Sequence, residues 1–304
     1  MNGKIWKALG IVVCMLALAA PHAMAETITH TVTADTDFAK VVKNINASDV
    51  DDENVIELCA DITLTGNHIL KRSTTIKSKD EDRKISINGS NAGITVTGEK
   101  TVLNLGAKGY DKKLTIEGDG DAKIQAAFVT VSEEATANMY ENVTLQNRKS
   151  RGNAYVLVTG SDPVTGSKSV FNMKGGVIEG GSRAVIAKSG ATFNMSGGEI
   201  RNCRGGSGNG GGVHVYGATF VMSGGTISGC TAEIGNGGGL CAENSSTITI
   251  SGGTISGCEG VWGGGLYADN SAVTINNGTI SGCKGVWGGG LYAENSSTIE
   301  ISGG

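Results

Sequence analysis

Hydrophobic residues along this chain come in short bursts. From Val55 onward, runs at 55–59, 62–64, 75–77, 85–87, 94–96, 102–105 and 114–116 mix apolar with polar side chains and stop at Gly, Asn, Asp or Lys. Such runs are too short for a helix with a buried face, and their turn-forming breaks predict brief β-strands. Upstream, residues 26–33 alternate Thr with Ile and Val, which suits one more strand. A single helical pattern comes next at 38–45, where Asp35 or Asp37 is placed to cap it and Phe38, Val41, Val42 and Ile45 share one face. A helix at that point would cover the open hydrophobic end of a stack of coils. Residues 26–54 therefore read as an N-terminal cap. Residues 55–170 read as irregular coils, either of one solenoid with the C-terminal region or of a separate small β domain.

From residue 171 the bursts become copies of one another. Phe171-Asn-Met-Lys-Gly-Gly-Val-Ile178 is echoed by Phe193-Asn-Met-Ser-Gly-Gly-Glu-Ile200, then by Phe220-Val-Met-Ser-Gly-Gly-Thr-Ile227 and Ile248-Thr-Ile-Ser-Gly-Gly-Thr-Ile255. A fifth copy is Val273-Thr-Ile-Asn-Asn-Gly-Thr-Ile280. Self-similarity at this period marks a solenoid, because one unit cannot bury its own apolar face and needs neighbours on both sides. Residues 171–304 thus form a regular Gly-rich region whose last copy stops inside the repeat.

Columns of the repeat recur at intervals of 25 to 28 residues: Ile200, Ile227, Ile255 and Ile280; Val213, Leu240, Leu266 and Leu291; Val215, Ala242, Ala268 and Ala293. Their constancy points them inward, and stacked parallel coils, about 4.8 Å apart, would set like on like. The glycine triplets at 210–212, 237–239, 263–265 and 288–290 suit tight corners. A phosphate cradle would need the lysine and βαβ context of a P-loop, and neither accompanies them. Six residues separate Cys203 and Cys230 from these glycines, but only four come after Cys258 and Cys283. Length variation confined to one place predicts an exposed turn there.

The segment Ile227-Ser-Gly-Cys230-Thr-Ala-Glu-Ile-Gly-Asn-Gly-Gly-Gly-Leu240 resembles the repeat of polymorphic outer-membrane proteins and related β-helical autotransporter passengers, Phe-x-x-Asn followed by Gly-Gly-Ala-Ile. Here Ile stands for the Phe, Cys for the Asn and Gly for the Ala. The resemblance covers about residues 171 to 304 and implies a right-handed parallel β-helix; with the helix read at 38–45, the expected fold is an all-β, right-handed parallel β-helix with a short N-terminal capping helix. It also implies a secreted or surface-exposed protein, often an adhesin.

Composition agrees with a narrow solenoid. The chain has 49 Gly, 2 Pro and 5% aromatics among 304 residues, too few large side chains for a round core. Net charge is -4 and no basic block occurs, so nucleic acid is not an expected partner. Residues 1–25 have the three parts of a secretory signal: Lys4 and Lys7, the apolar run 8–20, and Ala23-Met24-Ala25 before the expected cleavage. The apolar run is too short to span a bilayer and no later segment is apolar enough, so no transmembrane segment is expected in the mature chain.

Candidate chemistry lies on the repeat. Cys203, Cys230, Cys258 and Cys283 form one column, read either as a stack of small buried side chains or as a source of disulfides in an exported protein. They lack the Cys-x-x-Cys or His spacing of a metal site, and no metal or cofactor is expected. Opposite in parity to the inward columns are His214, Cys241, Tyr267 and Tyr292, which predicts that they face outward. With Trp262 and Trp287 in the turns, the last coils would present four aromatic side chains: Trp262, Tyr267, Trp287 and Tyr292. Such a face could stack on sugars or anchor a protein. Equally, the two tryptophans could fold over the corner and shield the strand edge. Glu243, Asp269 and Glu294 form an acidic row, expected to be solvated, with calcium the alternative guest. Asn244, Asn270 and Asn295 beside it are expected to form an amide ladder at the bend.

These acids repeat with the coil, and no singular Arg, Lys or His is evident beside them, so no catalytic residue is assigned. The expected function is a non-catalytic, secreted or surface-displayed scaffold, adhesin-like, binding a glycan or protein at a cell surface. A polysaccharide lyase or glycoside hydrolase is the alternative. An uncovered final coil would invite end-to-end self-association.

Overall fold

The computed structural model describes residues 26–49, 52–118, 125–147, 154–160, 168–181, 183–206 and 208–304. The expected signal segment lies outside these residues. Each burst pairs with its counterpart one coil away. Thr192–Met195, Glu199–Arg201 and Val213–Tyr216 occupy three faces of one coil; Thr219–Met222, Thr226–Ser228 and Leu240–Glu243 repeat them in the next. The pairings are parallel and build an 11-stranded first sheet, a 9-stranded second sheet beginning at Ile62–Leu64 and a 9-stranded third sheet beginning at Asn67–Leu70. The architecture is an all-β, right-handed parallel solenoid of about nine turns with one short helix near the N-terminus.

The early bursts, ambiguous in sequence, are coils of this same solenoid. Glu53–Leu58, Ile62–Leu64 and Asn67–Leu70 make its first complete coil, and Thr74–Ser78 pairs directly on Glu53–Leu58. The strand Thr27–Val32 adds one rung before them by pairing with Glu53–Leu58. Between these two strands lies the helix Phe38–Ala47, capped by Asp37, whose carboxylate accepts from the N–H groups of Ala39 and Lys40 at 3.0 and 3.3 Å. It buries Phe38, Val41, Val42 and Ile45, the face expected from their spacing, and these side chains join the solenoid core. Asn46 fastens its far end, donating to the Ile69 carbonyl and accepting from the Lys71 N–H, both at 2.8 Å.

Register stacks like on like. Phe171, Phe193 and Phe220 succeed one another along the first sheet with ring centroids 5.3 and 5.0 Å apart, all fully buried. The columns through Ile200, Val213 and Val215 are buried as predicted, with Ile280, Leu291 and Ala293 partly covered in the last coil. Glycine at 239 is a packing requirement, since a Cβ there would stand 2.7 Å from both the Gly265 carbonyl oxygen and Ile255 Cγ2. The cysteine column is also inward. The six cysteines of the described residues are unbridged, and Cys203, Cys230, Cys258 and Cys283 each turn the thiol toward the carbonyl two residues earlier, at 3.4 Å. Hydrogen bonding within the stack, from Cys230 first, pushes the Cys258 thiol up to about 12, so it stays protonated.

Two expectations change. The segment of variable length is not simply an exposed turn: in its short form it becomes strand, Glu259–Trp262 pairing with Lys284–Trp287 in a fourth, three-stranded sheet that starts at Thr231–Ala232. Nor do Asn244, Asn270 and Asn295 ladder with one another. They turn the chain in left-handed conformation, φ 58°, 45° and 50°, while Asn270 donates to Ser245 and Asn295 to Asp269. Asparagine tolerates this region through local hydrogen bonding. An amide ladder does exist elsewhere, on the first sheet, where Asn194, Asn172, Asn138 and Asn104 donate in turn to the preceding coil at 2.9, 3.0, 2.8 and 3.1 Å, ending on Thr75.

Candidate functional site

Outward positions of the third sheet hold the candidate chemistry. Strand register sets Ile186, His214, Cys241, Tyr267 and Tyr292 one above another. A second column runs beside it through the residues preceding the glycine triplets. Gly210 donates its N–H to Asn236, Gly237 to Trp262 and Gly263 to Trp287, at 2.8, 2.9 and 2.8 Å, which puts Asn209, Asn236, Trp262 and Trp287 in one line. Both columns change character at the same coil, so the face has a polar end and an aromatic end.

At the aromatic end the four sequence-predicted residues come together. The Trp262 and Trp287 rings stack at 5.6 Å, Tyr292 meets Trp262 edge-on at 5.0 Å, and the Tyr267 and Tyr292 rings are parallel at 6.1 Å. Trp287 is 56% exposed whereas Tyr267 is 3% exposed. Outward direction therefore does not mean exposure for Tyr267: its neighbours cover the ring, and its hydroxyl donates to Glu294. Burial, then the Glu294 carboxylate, pushes this phenol well above its ordinary range. Trp262 lies against Tyr292, while Trp287 stacks upon it and keeps an accessible ring.

At the polar end the sequence reading missed the association of singular residues. His214 Nε2 and Glu243 Oε2 are 2.7 Å apart, and the second Glu243 oxygen accepts from Asn209 Nδ2 at 2.9 Å. Asn209 is itself held: its side-chain oxygen accepts from the Asn236 N–H at 2.9 Å and its carbonyl from Arg183 Nε at 2.8 Å. Cys241, fully buried yet outside the main core, completes the group, with donor atoms of His214, Cys241 and Glu243 all within 4.8 Å of one another. The expectation that no singular Arg or His joins the acids is thus corrected. The acidic row is tied as well as partly solvated: Glu243, Asp269 and Glu294 keep some exposure, and each accepts from a different side chain. Hydrogen bonding from His214 holds the Glu243 carboxyl below its usual range, and burial beside that carboxylate keeps the Cys241 thiol well above its own. Cys241 is accordingly a poor nucleophile in this setting. The signal for the cluster was present in sequence as departures from the repeat, His214 and Cys241 standing where later coils have Tyr.

A family model described as a right handed beta helix region matches residues 156–303. No curated protein and no solved structure matches the chain. The β-helix fold occurs in both enzymes and non-enzymes, so function rests on the site. No helix of the described residues is long and apolar enough to cross a membrane.

Proposed function

We propose that the protein is a non-catalytic, secreted or surface-displayed β-helical scaffold that binds a glycan or protein, adhesin-like, through the aromatic end of its third sheet. The observation that carries this reading is the Trp262–Trp287 stack braced by Tyr292 and Tyr267. Flat rings already held in place offer contact area with little entropy left to lose, which suits the face of a sugar ring or an apolar anchor. The resemblance of the repeat to polymorphic outer-membrane proteins and autotransporter passengers supports the surface placement, as does the signal-like pattern of residues 1–25.

The test is binding of the exported chain to a glycan array and to intact cells. Trp287→Ala should weaken the strongest interaction by about tenfold or more, in line with the loss of an aromatic hot spot. Lys188→Ala, on an exposed position of the same sheet, should leave it unchanged. Equal binding by the Trp287→Ala chain would end the reading. The catalytic alternative draws on Arg183, His214 and Glu243, and release of reducing ends or unsaturated sugars from polysaccharide, lost in Glu243→Gln, would put it in place of the scaffold.

A further inference from the structure

We propose that His214, Cys241 and Glu243 form a binding site for one zinc-class divalent cation. One imidazole nitrogen, one sulfur and one carboxylate oxygen make a borderline-to-soft donor set that selects zinc and its transition-metal neighbours over calcium or magnesium, which favour oxygen alone. Three protein donors leave a fourth tetrahedral position open.

The geometry requires little change. Tetrahedral zinc with bonds of 2.0 to 2.3 Å spaces its donors by about 3.4 to 3.7 Å. In the structure the donor atoms lie within 4.8 Å of one another, His214 and Glu243 being in direct hydrogen bond at 2.7 Å. The ion takes the place of that bond, so the imidazole and carboxylate part slightly while the sulfur closes in, with its proton leaving to solvent. His214 and Cys241 are cross-strand neighbours in register, and Glu243 is two residues beyond Cys241 on the same face. The rigid ladder therefore fixes all three, and side-chain rotation suffices. Access runs past His214 and Glu243, each 18% exposed.

A supporting shell is already built. Asn209 occupies one Glu243 oxygen and so aims the other at His214, while the Asn236 N–H and Arg183 hold Asn209 in place. Outer partners of this kind orient ligands and tune affinity. The acidic position recurs in the next coils as Asp269 and Glu294, but the columns of His214, Cys241 and Asn209 turn there to Tyr and Trp.

The experiment is titration of the chelator-stripped exported chain with Zn2+ by calorimetry, alongside the absorption spectrum of the Co2+-loaded chain. One equivalent should bind, with a thiolate-to-cobalt charge-transfer band in the near ultraviolet. His214→Ala and Cys241→Ser should each weaken binding by more than about tenfold, and Asn209→Ala by about tenfold, as a lost outer partner does. Glu243→Gln, of nearly unchanged shape, covers the case in which a harsher variant fails to fold, and should also weaken binding. The charge-transfer band should vanish in Cys241→Ser and persist in Cys283→Ser. Absence of binding by the folded wild type, binding indifferent to His214→Ala, or a band lost instead in Cys283→Ser would each overturn the proposal. None of these readouts depends on glycan or protein binding at the aromatic end.

Discussion

On strands Val213–Tyr216 and Leu240–Glu243 the third sheet carries His214, Cys241 and Glu243 outward; on Leu266–Asp269 and Leu291–Glu294 the equivalent column carries Tyr267 and Tyr292. Backbone register is continuous through the change, and so are the inward residues, Val213, Leu240, Leu266 and Leu291. The turn column changes in step, from Asn209 and Asn236 to Trp262 and Trp287, where the connecting segment shortens and becomes strand. Two chemistries thus share one support. A solenoid permits this because each coil contacts only its neighbours, so outward positions are free to vary while inward ones are constrained by the stack.

If the support is common, damage to it should affect far more than either end alone. Phe193→Ala empties a fully buried position between the rings of Phe171 and Phe220. The expected loss is about 3 to 5 kcal/mol in chemical denaturation followed by circular dichroism. Lys188→Ala, an exposed change on the third sheet, should stay within about 0.5 kcal/mol. A comparable loss from the two variants would break the division into inward support and outward chemistry.

A smaller effect tests the boundary between the ends. Gly239 leads into the strand that carries Cys241, and a methyl group there would press on the Gly265 carbonyl oxygen and Ile255 Cγ2 of the next coil. Gly239→Ala should cost about 1 to 3 kcal/mol by overpacking. In a chain prepared from Glu26 onward, which lacks Trp6, Trp262 and Trp287 are the remaining tryptophans, so their fluorescence should shift as the aromatic coils move. An unchanged stability and spectrum would mean that the coils are not in the close contact described.

The inward columns were legible because repetition alone identifies them: Ile200, Ile227, Ile255 and Ile280 keep their type while neighbours vary. The helix was legible over 38–45 through its spacing of apolar residues, with Asp35 or Asp37 as the cap; the structure selects Asp37 and extends the helix to Ala47. The coils before residue 171 were harder, since Ala137 in register with Phe171 and Leu103 leaves no identity to align. The outer face was legible in direction but not in cover. Alternation says that Tyr267 points out; it does not say that Tyr292 lies over it or that Glu294 receives its hydroxyl. The polar cluster was hidden for a related reason, because Arg183, Asn209 and Glu243 come from three coils joined by segments of unequal length. Only register brings them together.

The smallest effect is the most selective, because the two ends carry opposite pH signatures. The Glu243 carboxyl is held low in the fold, chiefly by His214. Its contribution is present above the unfolded carboxylate value of about 4.3 and is lost as pH falls through the lower folded value. The Tyr267 phenol is raised by burial and by Glu294. Its contribution is present below the unfolded value of about 10 and is lost as pH rises toward the higher folded one. The polar end should therefore weaken on the acid side and the aromatic end on the alkaline side. Urea midpoints measured across pH should show Glu243→Gln with a flatter acid limb and an unaltered alkaline limb, and Tyr267→Phe with the reverse. The Glu243 carboxylate is next to solvent, so its change will be modest, and it is the separation of the two limbs that matters. A single variant flattening both limbs would mean that the ends titrate as one network and that the division between them is wrong.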